Sequence, residues 1–275
     1  MNKFLLVPLI LAAFATVSPA KRIAAPPNPV QRAVHADAVI TGKVTAIEKE
    51  TVEVAEAGGG PKVAYKIAVI QVESALAGAA NMTHVKVGFP AGAAPGRGRI
   101  VALEEKQEGL FFLNKHPSGQ FYTFNWMTAP VESTAENHKE SVAIVKKGLA
   151  VLADPMKSLK AAKAEDRAFA ATVMLLKYRT APPAGGELEL VKVPAEESKL
   201  ILKGLAEADW GKAVPNTPAP TSGFYSLGLT TENGWVAPKP GKPGADYNDE
   251  LRKAFTQWLD GAGKDYQINK FAVRK

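Results

Sequence analysis

The sequence predicts an α+β chain in which a small β-barrel or sandwich is followed by a mostly helical C-terminal half. Three observations carry that expectation. Between residues 38 and 127 the apolar residues fall in short alternating runs between Gly/Pro turns, the period of two shown by half-buried strands. Those runs follow one another closely, five or six strands within about 95 residues, the density of a small barrel or sandwich. At Pro130 the pattern changes. Ser133-Thr134-Ala135-Glu136 has capping-box spacing, and Val142, Ile144, Val145, Leu149 and Leu152 then recur near helical periodicity.

Residues 1–20 read as a secretory signal peptide. Lys3 supplies a positive start, residues 4–17 are almost wholly apolar, and Ser18-Pro19-Ala20 offers small residues for cleavage after Ala20. The apolar run is about 14 residues, short of the roughly 20 that a spanning helix needs, so no transmembrane segment is expected after cleavage. Residues 21–28 form a Pro/Ala-rich lead-in, extended because each proline fixes φ and restricts the residue before it.

Strands are then expected over residues 38–47, continuing through 52–54, and over 63–72, 85–89, 110–113 and 120–127. Gly42 marks a bulge or coil inside the first of them. Gly58-Gly59-Gly60-Pro61 is a turn that no strand crosses, Gly92 to Gly98 is a loop, and Pro117-Ser118-Gly119 turns between the last two strands. Helices fit residues 133–153, stopped by Asp154-Pro155, then 165–179 and 195–210. A last helix runs over about 247–260, capped by Asp246 and ended by Gly261. Residues 182–186, 214–223 and 238–244 read as long loops. Two domains are therefore expected, a β domain over 29–132 and a helical domain over 133–275.

Composition narrows the function classes. The chain has no cysteine, which removes lipobox anchoring, disulfides, thiolate metal sites and thiol catalysis together. A cysteine-free exported chain points to a bacterial periplasmic, cell-surface or extracellular protein. The formal charge of +7 arises from 34 basic and 27 acidic residues that are interspersed, which is a solvated surface and not a nucleic-acid footprint.

The stretch Pro29-Val30-Gln31-Arg32-Ala33-Val34-His35-Ala36-Asp37-Ala38-Val39-Ile40-Thr41-Gly42-Lys43-Val44 resembles the opening of netrin-like and tissue-inhibitor-of-metalloproteinase-like domains. The likeness extends through residues 65–72, 75–78, 85–87 and 109–113. The resemblance implies an OB-fold-like barrel over about residues 29–130. It does not carry the inhibitory function, because that family presents an N-terminal cysteine to the protease zinc and residues 21–29 contain none.

No catalytic constellation stands out. None of the four histidines, His35, His84, His116 and His138, forms a helical ligand pair, so no metal and no cofactor is expected. His35 and Asp37 lie at i, i+2, where a solvent-facing histidine and a capping aspartate are expected. Gly223-Phe224-Tyr225-Ser226-Leu227-Gly228 has the wrong spacing for a nucleophile elbow. Glu104-Glu105 and Glu196-Glu197 are adjacent and point to different faces. The tail gathers Phe224, Tyr225, Trp235, Tyr247, Phe255 and Trp258, the composition of a satellite core or a recognition surface, with helical spacing of Leu251, Phe255 and Trp258 favouring a core. The expectation is a non-enzymatic exported module that binds a protein or an envelope polymer, with Arg97, Arg99 and Trp235 as candidate binding residues on loops. The alternative is a hydrolase of such a polymer with its site between the two domains.

Overall fold

The computed structural model describes residues 27–55, 60–92, 101–117, 119–124, 128–181, 186–212, 214–239 and 246–274. Helix α1 (Pro29–Val34) starts at Asn28, whose side chain accepts from the Gln31 N–H at 2.9 Å while the Gln31 side chain accepts from the Asn28 N–H at 3.1 Å. This reciprocal cap, with Pro29 at the first helical position, lets so short a helix form. Six strands follow: β1 (Ala38–Ala55), β2 (Lys62–Ala77), β3 (His84–Pro90), β4 (Glu108–Lys115), β5 (Tyr122–Phe124) and β6 (Val131–Glu132). Their hydrogen-bonded order is β1-β2-β3-β5-β4-β6, and β1 also pairs with β4, so β1 to β5 close into a ring. The β3–β5 pairing is parallel and the others are antiparallel.

Closure depends on β1 bending from one neighbour to the other. Its register against β2 shifts between Thr41 and Gly42, and at Gly42 a Cβ would press on the Gln71 carbonyl and lie 2.9 Å from Ile70 Cγ2. Only a hydrogen fits at that approach. On its other edge the same stretch pairs Thr41, Gly42 and Lys43 with Leu110, Gly109 and Glu108.

Alternation along the strands then sorts the side chains. Ile40, Val44, Ala68, Ile70, Val87, Phe111 and Leu113 fill the interior of the ring. Val39, Leu110 and Phe112 face outward, where Ala33 of α1 and Val145 of α2 (His138–Ala153) cover them. The rest of the chain comprises α3 (Pro155–Leu159), α4 (Ala164–Tyr178), β7 (Leu188–Lys192), α5 (Ala195–Glu207), α6 (Pro220–Ser226), α7 (Tyr247–Asp260) and β8 (Asn269–Val273), with β7 and β8 forming a separate antiparallel ribbon. The core of this half includes Val30 and Val34 of α1 beside Leu159, Val173, Leu175, Ile201, Leu205 and Phe255. Helix α1 thus precedes the sheet in sequence yet packs among the helices. Its Arg32 is buried, lies 4.1 Å over the Phe112 ring, and donates to the carbonyls of Thr128 and Ala129 at 3.1 and 2.7 Å.

Some expected elements move. The helix expected from residue 133 begins at His138, because Ser133 N–H donates to Glu108 O at 2.9 Å and holds the preceding residues on β4 as β6. The loop expected over 214–223 contains the start of α6, a helix too short to show a periodicity. Residues 125–127 of the last expected strand lie outside the described residues. Among the described residues no helix is long and apolar enough to cross a membrane.

Candidate functional site

A concave site forms where the tail crosses α7. Thr230 N–H donates to Asn233 Oδ1 at 3.1 Å, Gly234 takes a left-handed φ of 70°, and Trp235 N–H returns to Thr230 O at 3.2 Å, so residues 230–235 are one pinned turn. That turn is fixed to the helix by Trp258 Nε1, which donates to Asn233 O at 2.8 Å. The two indoles meet edge to face, with centroids 6.3 Å apart at 89°, and Phe224 closes on Trp235 at 5.2 Å and 62°. These are geometries favoured by the ring quadrupoles. Beside them opens a cavity of about 300 Å³ lined by Gly234, Trp235, Val236, Ala254, Gln257, Trp258 and Ala262. Val236 stands at its edge, 76% exposed.

The chemistry of that lining is simple. Besides the two indole N–H groups its polar side chain is the Gln257 amide, and no acid, base or nucleophile is among the lining residues. It can hold an apolar group and donate or accept one hydrogen bond, but it has nothing with which to move a proton. Its volume lies at the bottom of the range that small-molecule sites occupy, about 300–1,000 Å³, which suits a single side chain or ring.

Of the sequence-derived candidates, Trp235 is 8% exposed, with its ring inside the aromatic cluster and only an edge on the cavity. Arg97 and Arg99 lie outside the described residues, as do Gly58 and Gly59. The tail aromatics divide: Phe224, Trp235, Phe255 and Trp258 are buried, whereas Tyr225 and Tyr247 are 61% and 38% exposed. Sequence reasoning missed Val236 and Gln257. Val236 only neighbours Trp235 and Gln257 lies on α7 one turn beyond Lys253, and neither position carries a local chemical signal.

His84 is exposed, whereas His35 and His116 are not the solvent-facing histidines the sequence suggests. His35 is half-buried at the junction of the ring and the helices, with Nε2 3.0 Å from Thr180 Oγ1. Thr180 Oγ1 donates its hydrogen to Leu176 O at 2.6 Å, so the imidazole Nε2–H is the donor to the hydroxyl. A nucleophilic hydroxyl must give its hydrogen to the base, and here the order is reversed. Asp37 does not cap a helix; its Oδ2 accepts from the Lys115 N–H at 2.9 Å and ties the start of β1 to the end of β4. His116 is buried, stacked on Phe121 at 4.9 Å and edged by Tyr65 at 5.3 Å. Ser226 Oγ donates to Gly223 O at 2.6 Å within α6, a local bond with no catalytic partner. Glu197 accepts from the Tyr178 hydroxyl and Glu196 from Lys160 Nζ at 2.7 Å, so the adjacent carboxylates serve different elements. Among the described residues no cluster of His, Asp and Glu is arranged to hold a metal ion.

Burial, and then the charge of Lys177, lowers the His35 pKa to about 4. Its unfolded value is about 6.5, so between those values the unfolded chain binds the extra proton. The stabilisation is complete above about pH 6.5 and is lost as the pH falls toward 4. After discounting for solvent at a half-buried ring, the loss is about 1–2 kcal/mol. Burial lowers His116 in the same direction. Urea titrations at pH 7.5 and 4.5 should show wild type losing more stability than His35→Gln, and parallel losses would disprove the assignment.

With the fold and this geometry defined, the chain belongs to the mixed α+β class, a closed sheet followed by helices. No family model matches it, and no curated protein matches it.

Proposed function

We propose that this is an exported, non-enzymatic binding protein of bacterial origin whose cavity beside Trp235 and Trp258 receives an apolar side chain of a protein partner. The observation that carries the reading is an open concavity with no titratable side chain in its lining, next to a valine left 76% exposed. A sugar ring of an envelope polymer needs an open aromatic face, and both indoles here are covered, at 8% and 6% exposure. An aliphatic or aromatic anchor inserted from a protein surface needs only the cavity and its edges. Support for export comes from the signal-like residues 1–20 and the absence of cysteine.

The same proposal takes the closed sheet as an OB-like barrel of the netrin-like kind. Five strands in a ring, the count of small Greek-key barrels that serve as binding modules, support this. The hydrolase alternative has no favouring observation in the geometry described above.

The test is pulldown from native envelope extract with Val236→Asp and Gln257→Ala. Both residues are exposed and leave the core untouched. The aspartate should reduce recovery of the captured protein by about tenfold or more, since an unpaired charge in an apolar contact costs about 1.4 kcal/mol or above. Undiminished capture by both variants would refute the site. Truncating Trp235 itself is the poorer experiment, because its ring is part of the core.

A further inference from the structure

The β7–β8 ribbon carries an apolar face and a free backbone edge that the cavity does not use. Cross-strand partners share a face, so Leu188 with Val273 and Leu190 with Phe271 lie on one side, while Glu189 with Ala272 and Val191 with Lys270 lie on the other. Lys270 Nζ sits 5.5 Å over the Tyr178 ring, which turns the second side toward α4. The first side is left to solvent, with Leu188 42%, Leu190 57% and Val273 36% exposed. Every residue of β7 is exposed.

The backbone pattern defines which groups are available. Arg274 N–H donates to Glu187 O and Val193 N–H to Ile268 O, both at 2.8 Å. Antiparallel hydrogen-bonded pairs recur every second residue, so Glu189 and Val191 also direct their backbone to β8. Leu188, Leu190 and Lys192 therefore direct N–H and C=O to the outer edge. Among the described residues no other strand pairs with β7.

We propose that β7 is a self-association edge, where two copies of the chain pair β7 antiparallel about a two-fold axis at Leu190. The resulting sheet has the order β8-β7-β7-β8. In this register Leu188 opposes Lys192 of the second copy, Glu189 opposes Val191, and Leu190 opposes Leu190. No like charges stand directly opposite, and the outward groups of residues 188, 190 and 192 are all bonded, three hydrogen-bonded pairs of two bonds each. The neighbouring registers are worse. Centring on Leu188 sets Glu187 against Glu189, centring on Glu189 sets it against itself, and centring on Lys192 does the same to that lysine. Centring on Val191 keeps charges apart but would bring Pro194, which has no N–H, against Leu188. Charge and Pro194 together thus leave a second copy a single register. A two-stranded ribbon is marginal alone, and four strands with a continuous Val273-Leu188 and Phe271-Leu190 face are not. Closed two-fold dimers are also the commonest assembly.

The test uses the cysteine-free background. Full-length protein lacking only its cleaved leader is expected to sediment at twice the monomer mass, and Leu190→Lys, which opposes two lysines at the axis, to return it to the monomer mass. Leu190→Cys should then be joined by a short bis-maleimide, because the paired Cα atoms lie about 5.5 Å apart. Leu188→Cys should not be joined, because residue 188 and its copy are separated by four residues along the strand, about 13 Å. A monomer at all concentrations overturns the proposal. So does a dimer that survives Leu190→Lys, or one in which Leu188→Cys joins as readily as Leu190→Cys. Capture of an extended segment of another protein on β7 of a monomeric chain overturns it too.

Discussion

Phe255→Ala lowers the stability of the protein by about 3–5 kcal/mol, the range for deleting a fully buried aromatic ring. Phe255 is wholly buried on α7 and touches Trp210, Phe224 and Trp258 with ring centroids at 5.8, 5.3 and 5.7 Å. Those rings are themselves tethered. Trp210 Nε1 donates to Leu205 O at 2.9 Å and Trp258 Nε1 to Asn233 O at 2.8 Å, so these two indoles cannot slide into the vacated space without breaking a buried or half-buried hydrogen bond. Little collapse means that most of the cavity term remains. For a chain of this size the midpoint of thermal unfolding falls by about 6–20 °C. Tyr225→Ala is the contrast, since a ring 61% exposed contributes within about 0.5 kcal/mol. Circular dichroism melts of both variants decide it. Equal midpoints would show that the tail aromatics do not form the core of the helical half.

What was legible in the sequence follows from how local each cause is. Leu251, Phe255 and Trp258 recur at helical spacing between an aspartate cap and a glycine stop, and α7 has those limits, with Asp246 Oδ1 accepting from the Asn248 N–H at 2.9 Å. Gly42 marked a coil in β1, and the register shift is there because only glycine tolerates the approach of Gln71. The alternation at residues 63–72 became β2, with Ile70 inward and Ile67 in a separate cluster with Tyr65 and Phe121. By contrast, the His35–Thr180 contact joins residues 145 apart in sequence, and no local pattern encodes it. Strand β8 pairs with β7 across more than half of the helical region, and five residues of Leu-Glu-Leu-Val-Lys fit a helix or a strand equally well. The aromatic tail was legible as aromatic. Which rings turn inward was not, because that depends on how α6 and the turn at residues 230–235 meet α7.

The position of α1 is the deepest of these non-local effects. Val30 and Val34 complete a core otherwise built from residues beyond 150, while Ala33 and Arg32 face the sheet. Any truncation removing residues 29–34 should therefore damage the helical half at least as much as the ring, although those residues adjoin β1. The guanidinium of Arg32 is held by two carbonyls and an aromatic face, and burial draws its pKa down to about 10. A lysine in its place cannot reproduce the planar fork.

The link between α1 and the sheet also makes Gly78 the most demanding glycine of the described residues. Gly78 follows β2 with φ at +68°, where a side chain costs about 1–2 kcal/mol by itself. A Cβ there would overlap the Asp37 carbonyl oxygen and lie 2.8 Å from its carbon and 3.0 Å from Ala38 Cα. All three are backbone atoms and cannot rotate away. Asp37 is in turn fixed by its N–H to Leu113 O and its Oδ2 to Lys115 N–H, both at 2.9 Å, so moving it loosens the β1–β4 pairing that closes the ring. Gly78→Ala is therefore expected to cost about 3–5 kcal/mol, the level reached when strain and lost pairing coincide. Gly92 supplies the control. It lacks a positive φ, and among the described residues a Cβ there meets nothing within 4 Å, so Gly92→Ala should raise stability by about 0.4–1 kcal/mol through the unfolded chain alone. Urea denaturation of the pair gives opposite signs if the ring closes against Gly78 as described, and a neutral Gly78→Ala would mean that it does not.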